Sequence, residues 1–375
     1  RRFDEYQTMS IPTGISVPGA ELVLRVRELA PNPQTRVIVN CAGRTRSIIG
    51  TQSLINAGLP NPVAALRNGT IGWTLAGQQL DHGQSRRFGE VSEANRQLAA
   101  QSARAVADQA GVGRARLADL KRWQAEAGRT TYLFDVRTLE EYEAGHLPGA
   151  RSTPGGQLVQ ETDHYASVRG ARVVLADDDG VRANMSASWL AQMGWEVFVL
   201  DDLSAADFTE QGAWKAPLPP LPQPAAIDPQ TLSAWLAEGD TLVLDFTASA
   251  NHVARHIPGA WWALRSQLPQ ALERLPVAGR YVLTCGSSLL ARFVVDELKI
   301  LTGKPVYLLE GGTTAWVAAG LPTESGEARL AVPRTDRYRR PYEGTDNPRE
   351  AMQGYLDWEF GLVEQLGRDG SHGFF

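Results

Sequence analysis

Cys41 closes the run Val37-Ile38-Val39-Asn40-Cys41, and Ala42-Gly43-Arg44-Thr45-Arg46-Ser47 follows at once. The β-branched residues predict a buried strand from Val37 to Cys41. The pattern from Ser47 through Leu54 to Ala57 predicts a helix, with Ser47 as its N-cap. A thiol between a strand end and a helix start meets several backbone N–H groups and the positive end of a helix dipole. Arg44 and Arg46 add two permanent positive charges. These surroundings favour thiolate over thiol, and the thiolate is the nucleophile. A buried core cysteine is the plainer reading of such a position. Two arginines and a glycine within the next five residues suit better an anionic sulfur nucleophile working on an anionic substrate.

The same arrangement recurs twice, with changes. Pro-Gly-Ala stands at 18–20, 148–150 and 258–260. Each copy leads to a predicted strand ending on a key residue: Val37 to Cys41, Val173 to Asp177, Tyr281 to Cys285. A helical stretch follows, with Leu54, Leu190 and Leu298 each thirteen residues after the key position. A second strand comes next, at Val63 to Leu66, Val197 to Leu200 and Val306 to Leu309. Strands alternating with helices predict α/β domains, each with a mainly parallel sheet flanked by helices. In such sheets ligands bind beyond the carboxyl ends of strands, where the key residues fall.

The landmarks extend further. Gly145-His146-Leu147-Pro148-Gly149-Ala150 has a counterpart in Arg255-His256-Ile257-Pro258-Gly259-Ala260. Asp135-Val136-Arg137 precedes the former, and Gly311-Gly312-Thr313-Thr314-Ala315-Trp316 closes the third copy. In this order the motifs resemble the rhodanese family of sulfurtransferases, three copies deep over residues 1–325. The resemblance implies that Cys41 takes sulfane sulfur as a persulfide and hands it to a nucleophilic acceptor such as cyanide or a thiol. It implies no cofactor beyond that covalent intermediate. Ala42, Gly43, Arg44, Thr45 and Arg46 would hold a small anionic donor such as thiosulfate. Cysteine phosphatases use related logic but place their arginine one residue later than Arg46, which lies five after Cys41.

The other two loops depart from that pattern. Asp177-Asp178-Asp179-Gly180-Val181-Arg182 has a carboxylate at the nucleophile's place, so the second copy is expected to be catalytically inactive and to serve as scaffold. Cys285-Gly286-Ser287-Ser288-Leu289-Leu290 keeps the thiol but puts Leu290 where Arg46 stood. Cys285 is therefore either a second sulfur site, aided by the Ser287 and Ser288 hydroxyls, or a retained structural cysteine. Asp135 and Arg137 are expected to form a structural ion pair, and His146 and His256 to bond within their loops. A different class of function stays open beside the enzyme: a binding or redox-sensing module built from rhodanese-like domains.

Composition sets the bounds. A chain of 375 residues with 43% hydrophobic residues can bury several cores. A net charge of -5 gives no case for nucleic acid. No apolar run suggests a membrane span. Two cysteines at matching positions of different repeats do not predict a disulfide, and a reducing, cytoplasmic setting is expected. The expected domains are 1–90, 112–214 and 225–325, followed by an extension over 326–375. Arg1-Arg2-Phe3-Asp4-Glu5-Tyr6 matches Arg137 to Tyr142, so the first domain is read as lacking its opening strand and helix. Ser92 to Ala110 reads as a helix, and Ala216 to Pro224 as an extended proline-rich spacer. The stretch Arg334 to Gly344 is basic and aromatic. Pro348 to Leu366 reads as a helix, with Tyr355, Leu356, Phe360 and Val363 meeting a neighbouring domain or, in a homo-oligomer, a second copy.

Overall fold

A computed structural model describes every residue except Arg339, Tyr342 and Asp346. Part of the basic and aromatic stretch expected before the last helix thus lies outside the described residues. The first repeat contains α1 (Phe3–Thr8), α2 (Leu22–Leu29), β1 (Val37–Val39), α3 (Thr45–Asn56), β2 (Val63–Ala65) and α4 (Gly69–Leu75). Helix α5 (Glu93–Gln109) connects it to the second, with Ser92 as N-cap accepting the Asn95 N–H. The second repeat runs β3 (Gly113–Ala115), α6 (Leu117–Gln124), β4 (Thr131–Asp135), α7 (Leu139–Ala144), β5 (Arg151–Ser152), α8 (Gly155–Gln160), α9 (Thr162–Tyr165), β6 (Arg172–Ala176), α10 (Arg182–Gln192) and β7 (Glu196–Leu200). The third runs β8 (Ala226–Ile227), α11 (Pro229–Glu238), β9 (Thr241–Asp245), α12 (Ser249–Ala254), β10 (Trp261–Trp262), α13 (Leu268–Leu272), β11 (Arg280–Thr284), α14 (Val295–Thr302), β12 (Val306–Leu309) and α15 (Gly312–Ala318). Helix α16 (Arg349–Asp369) ends the chain.

The second and third repeats share one topology. Their five-stranded sheets run β3-β7-β6-β4-β5 and β8-β12-β11-β9-β10, every pair parallel. Both faces of such sheets are covered by helices, which is why their central strands read as unbroken apolar runs. In β6, Val173 and Leu175 point into one core while Val174 and Ala176 point into another. In the third repeat Leu242, Leu244 and Leu283 face one way and Val243 and Val282 the other. The first repeat has β1 paired in parallel with β2 alone.

Two compact units result. One comprises Arg1–Lys215 with Arg340–Phe375; the other begins at Ala216 and holds the third repeat. Inside the first unit, α5 packs on α2 of repeat one and on α10 of repeat two. Ala99, Ala103 and Val106 form its buried stripe, and small side chains let the helices approach closely. The chain after 326 is divided rather than forming one extension. Leu330 bridges to Trp262 and Ala331 and Val332 complete the third repeat's core, whereas α16 joins the first unit.

Candidate functional site

The predicted strands stop short of their key residues. β1, β6 and β11 end at Val39, Ala176 and Thr284, so Cys41, Asp177 and Cys285 open the loops that follow. For the two cysteines, backbone hydrogen bonds from the helix after the second strand, α4 or α15, hold the loop there. The Cys41 and Ala42 carbonyls accept from the N–H groups of Thr70 and Ile71, at 3.0 and 2.9 Å. Gly69 has φ +54°, and a Cβ on it would overlap the Cys41 carbonyl oxygen. A glycine is the residue that meets both demands. Gly312 repeats this arrangement against Cys285, whose carbonyl accepts from Thr313 N–H at 2.9 Å.

Cys41 is buried, and its thiol donates to Ser47 Oγ at 3.5 Å. Helix α3 begins at Thr45 with Arg44 in the N-cap position, so Ser47 lies inside its first turn and is not the cap. The Ser47 hydroxyl donates to the Arg44 carbonyl at 2.8 Å, which ties the loop to the helix start. The helix can open three residues early because a carboxylate from elsewhere takes the Thr45 end. Glu359 on α16 accepts from the Thr45 hydroxyl at 3.0 Å and faces the Thr45 N–H at 3.5 Å. Tyr355 also donates to Glu359. A Cβ on Gly43 would overlap the Glu359 carboxylate, and Arg44 stacks its guanidinium 3.7 Å from the centre of the Phe360 ring.

Arg46 pairs with Glu5 at 2.8 Å. It lines, together with Cys41, a cavity of about 640 Å³ whose opposite wall is repeat two, through Thr138, Pro154, Met185 and Trp189. Arg1 donates to the Met9 carbonyl as Arg137 does to the Gly145 carbonyl. Tyr6 and Tyr142 likewise reach the carbonyls of Gly14 and Ala150. These shared contacts place the two repeats in one register.

In the second loop the carboxylates fill the cradle themselves. Asp177 accepts the Gly180 and Ala183 N–H groups at 3.1 and 2.8 Å, and Asp179 accepts those of Val181 and Arg182. Burial first, and then the neighbouring Asp179 charge, pushes the Asp177 carboxyl well above its ordinary range. Arg182 is buried and bonds to Asp178, Asp179, Glu141 and Glu21. Against burial, these acids raise it well above the ordinary guanidinium value. The Asp135–Arg137 pair expected at the sheet end is present at 2.7 Å and buried. His146 and His256 each bond through Nδ1 to a backbone carbonyl four residues earlier, at 2.8 and 2.7 Å.

The third loop differs in shape. Ser288 has φ +65° and turns its hydroxyl to the Leu309 carbonyl, while Ser287 is exposed. A 3₁₀ turn at Ala291–Phe293 precedes α14, which starts only at Val295. Cys285 is as buried as Cys41, but with α14 starting so late it lacks the helix start that Cys41 has nearby. Arg292 bonds to the Pro222 carbonyl. Asp245, without the arginine that Asp135 has, takes His252 Nδ1 at 2.9 Å instead.

Sequence reading missed Glu359, Glu5 and the Ser47–thiol contact. A signal for Glu359 existed: it shares a helical stripe with Met352 and Leu356, where a charged side chain is out of place. Of the face expected to pack, Tyr355, Leu356, Phe360 and Val363, Leu356 is 1% exposed, Tyr355 bonds to Glu359 and Phe360 stacks on Arg44. Val363, however, is 67% exposed, and the buried stripe runs instead through Glu359, 6% exposed. Among the described residues no cluster of His, Cys, Asp or Glu could hold a metal ion, and no helix is long and apolar enough to cross a membrane.

The sequence model of the rhodanese-like domain matches residues 1–76, 117–202 and 228–319. A solved thiosulfate sulfurtransferase from Pseudomonas aeruginosa is 80% identical, with a TM-score of 0.98 over 100% of this chain and 71% of its own. A rhodanese-related protein from Thermoplasma volcanium is 21% identical over 27% of this chain and 97% of its own, with a TM-score of 0.25. An HTH-type transcriptional regulator of Mycobacterium tuberculosis is 43% identical over 84 residues, which are 20% of this chain and 34% of that protein. The chain thus spans about a third of the length of that curated relative.

Proposed function

The chain belongs to the rhodanese-like domain family, and on that premise we propose that it is a sulfurtransferase carrying sulfane sulfur on Cys41. The observation that carries this reading is the contrast among the three loops. Cys41 alone of the three key residues is a thiol set behind the first turn of a helix with arginines on both sides of that turn. The three-domain parallel α/β architecture supplies the scaffold.

The reaction divides into two displacements. The Cys41 thiolate attacks the outer sulfur of thiosulfate; the S–S bond breaks and its electron pair leaves with sulfite. Cys41 then bears a persulfide anion within the Ala42–Thr45 loop, beside Ser47 and the start of α3. A nucleophile, cyanide or a thiolate, attacks the outer sulfur and restores the Cys41 thiolate, so no resident cofactor is called for. Arg46 is the docking charge for the anionic donor, and Ala42 to Thr45 form the cradle. Arg44 is drawn onto Phe360 and serves the rim more than the donor. The name of the Pseudomonas relative makes thiosulfate the first donor to try. A reducing compartment such as the cytoplasm suits a chain with two free cysteines.

Purified protein is exposed to thiosulfate, and each cysteine peptide is weighed by mass spectrometry. One added sulfur atom on Cys41, with thiocyanate produced on adding cyanide, is the expected result. Cys41→Ser should lose nearly all turnover. If Cys41 stays unmodified while Cys285 takes the sulfur, the assignment moves to the third repeat. If neither does and no thiocyanate forms, the binding-module reading replaces the enzyme.

A further inference from the structure

Position by position, the first two loops correspond: Cys41 with Asp177, Gly43 with Asp179, Thr45 with Val181. In the second loop Asp179 sends its own carboxylate to the Val181 N–H at 2.7 Å. In the first loop Gly43 has no side chain, and the space it leaves is entered by Glu359, whose carboxylate faces the equivalent Thr45 N–H. The same role is thus filled from within the loop in one repeat and from the C-terminal helix in the other. Glu359 is 6% exposed. Its Oε1 is bonded to Thr45 and Tyr355, but its Oε2 is buried against Gly43 and accepts no hydrogen bond among the described residues.

A helix start could be capped by a neutral hydrogen-bond acceptor; a buried carboxylate with one oxygen left unpaired costs more than that. Its charge lies at the rim of the loop that is to receive an anionic donor. A like charge held in a buried setting acts with little screening by salt.

We propose that Glu359 is a specificity-determining residue, a fixed negative charge at the rim of the Cys41 loop that disfavours anionic partners relative to neutral ones. The proposal rests on Cys41 being the reactive thiol. In consequence thiosulfate is a slower donor to this loop than its two arginines alone would make it. An uncharged thiol or persulfide, or one that loses its proton only on arrival, meets no such penalty at the rim.

The test compares the full chain with Glu359→Gln, which keeps an acceptor for Thr45 and removes the charge. Iodoacetate and iodoacetamide are used separately, and alkylation of the Cys41 peptide is followed by mass spectrometry. The ratio of the two rates cancels changes in thiolate fraction and in general access. Glu359→Gln should raise the iodoacetate-to-iodoacetamide ratio several-fold, and kcat/KM for thiosulfate with it. Glu359→Asp, which retains the charge, should keep the wild-type ratio wherever circular dichroism shows it folded. An unchanged ratio in Glu359→Gln overturns the proposal whatever the turnover does. A raised ratio in protein that makes no thiocyanate sustains the rim charge and removes the sulfurtransferase reading instead.

Discussion

Arg46 reaches Glu5 at 2.8 Å while lining the cavity beside Cys41, so its guanidinium is oriented before any donor arrives. A charge-assisted bond of this kind is worth roughly 1.5–3 kcal/mol, which corresponds to about ten- to a hundredfold in binding or rate. Arg46→Ala should therefore raise KM for thiosulfate or cut turnover by about that factor. Steady-state kinetics at fixed cyanide checks it, and kinetics unchanged from the parent would remove Arg46 from the donor's path. That Cys41, Arg44 and Arg46 stand together at one strand–helix junction was legible in sequence because they are neighbours. Glu359 was not, since 314 residues separate it from Thr45, and its place on the apolar stripe of α16 marks an odd acid without naming its partner. The Ser47 role was misread for a related reason. A hydroxyl at a helix start normally caps it, but the cap's work had been taken over by a side chain from α16.

At the scale of elements, what distinguishes the three repeats is where the helix after the key residue begins. α3 opens at Thr45, four residues after Cys41, and α10 at Arg182, five after Asp177; α14 waits until Val295, ten after Cys285. The strand–helix alternation and the leucine register were visible in sequence, because apolar periodicity reports which faces are buried. The late start of α14 was not, because it depends on Ser288 adopting φ +65° and surrendering its hydroxyl to Leu309. Behind each thiol a glycine fixes the distance to the next helix. Gly69→Ala faces both a left-handed φ and overlap with the Cys41 carbonyl. Gly58, at φ +66°, faces open space and tests the backbone cost alone. We expect Gly58→Ala to lower stability by about 1–2 kcal/mol with turnover intact. Gly69→Ala should cost more than that and displace the Cys41 loop. Urea midpoints and thiocyanate production on the two variants decide it; equal losses in both would deny the close approach its role.

Across the whole first unit, the second loop has exchanged chemistry for structure. Arg182, which corresponds to Arg46, turns to Glu21 of repeat one at 3.0 Å while holding Asp179 and Glu141 of its own repeat. The side chains of Glu21, Asp179 and Arg182 are all nearly inaccessible to solvent. Arg182→Met would leave buried carboxylates without a counter-charge, a loss of about 3–5 kcal/mol. The cluster also sets how the fold responds to acid. Despite the upward push of burial, the Arg182 guanidinium and Thr138 hold the Glu141 carboxyl down to about 2, against 4.5 when free. A carboxyl depressed by folding stabilises the fold fully above its unfolded value. That contribution fades as pH falls from 4.5 towards 2. Asp177, raised by burial and by Asp179, acts with the opposite sign: its contribution is complete in acid and declines as pH rises. The two groups overlap in the acid range, so a single pH profile mixes them. Glu141→Gln separates them, because Asp177 is common to both proteins and cancels in the difference. Urea unfolding at a series of pH values should show wild type more stable than Glu141→Gln near neutrality. The gap should narrow steadily below pH 4.5 and close near pH 2. A gap that stays constant through that window would mean Glu141 acts through packing and not through its charge on Arg182.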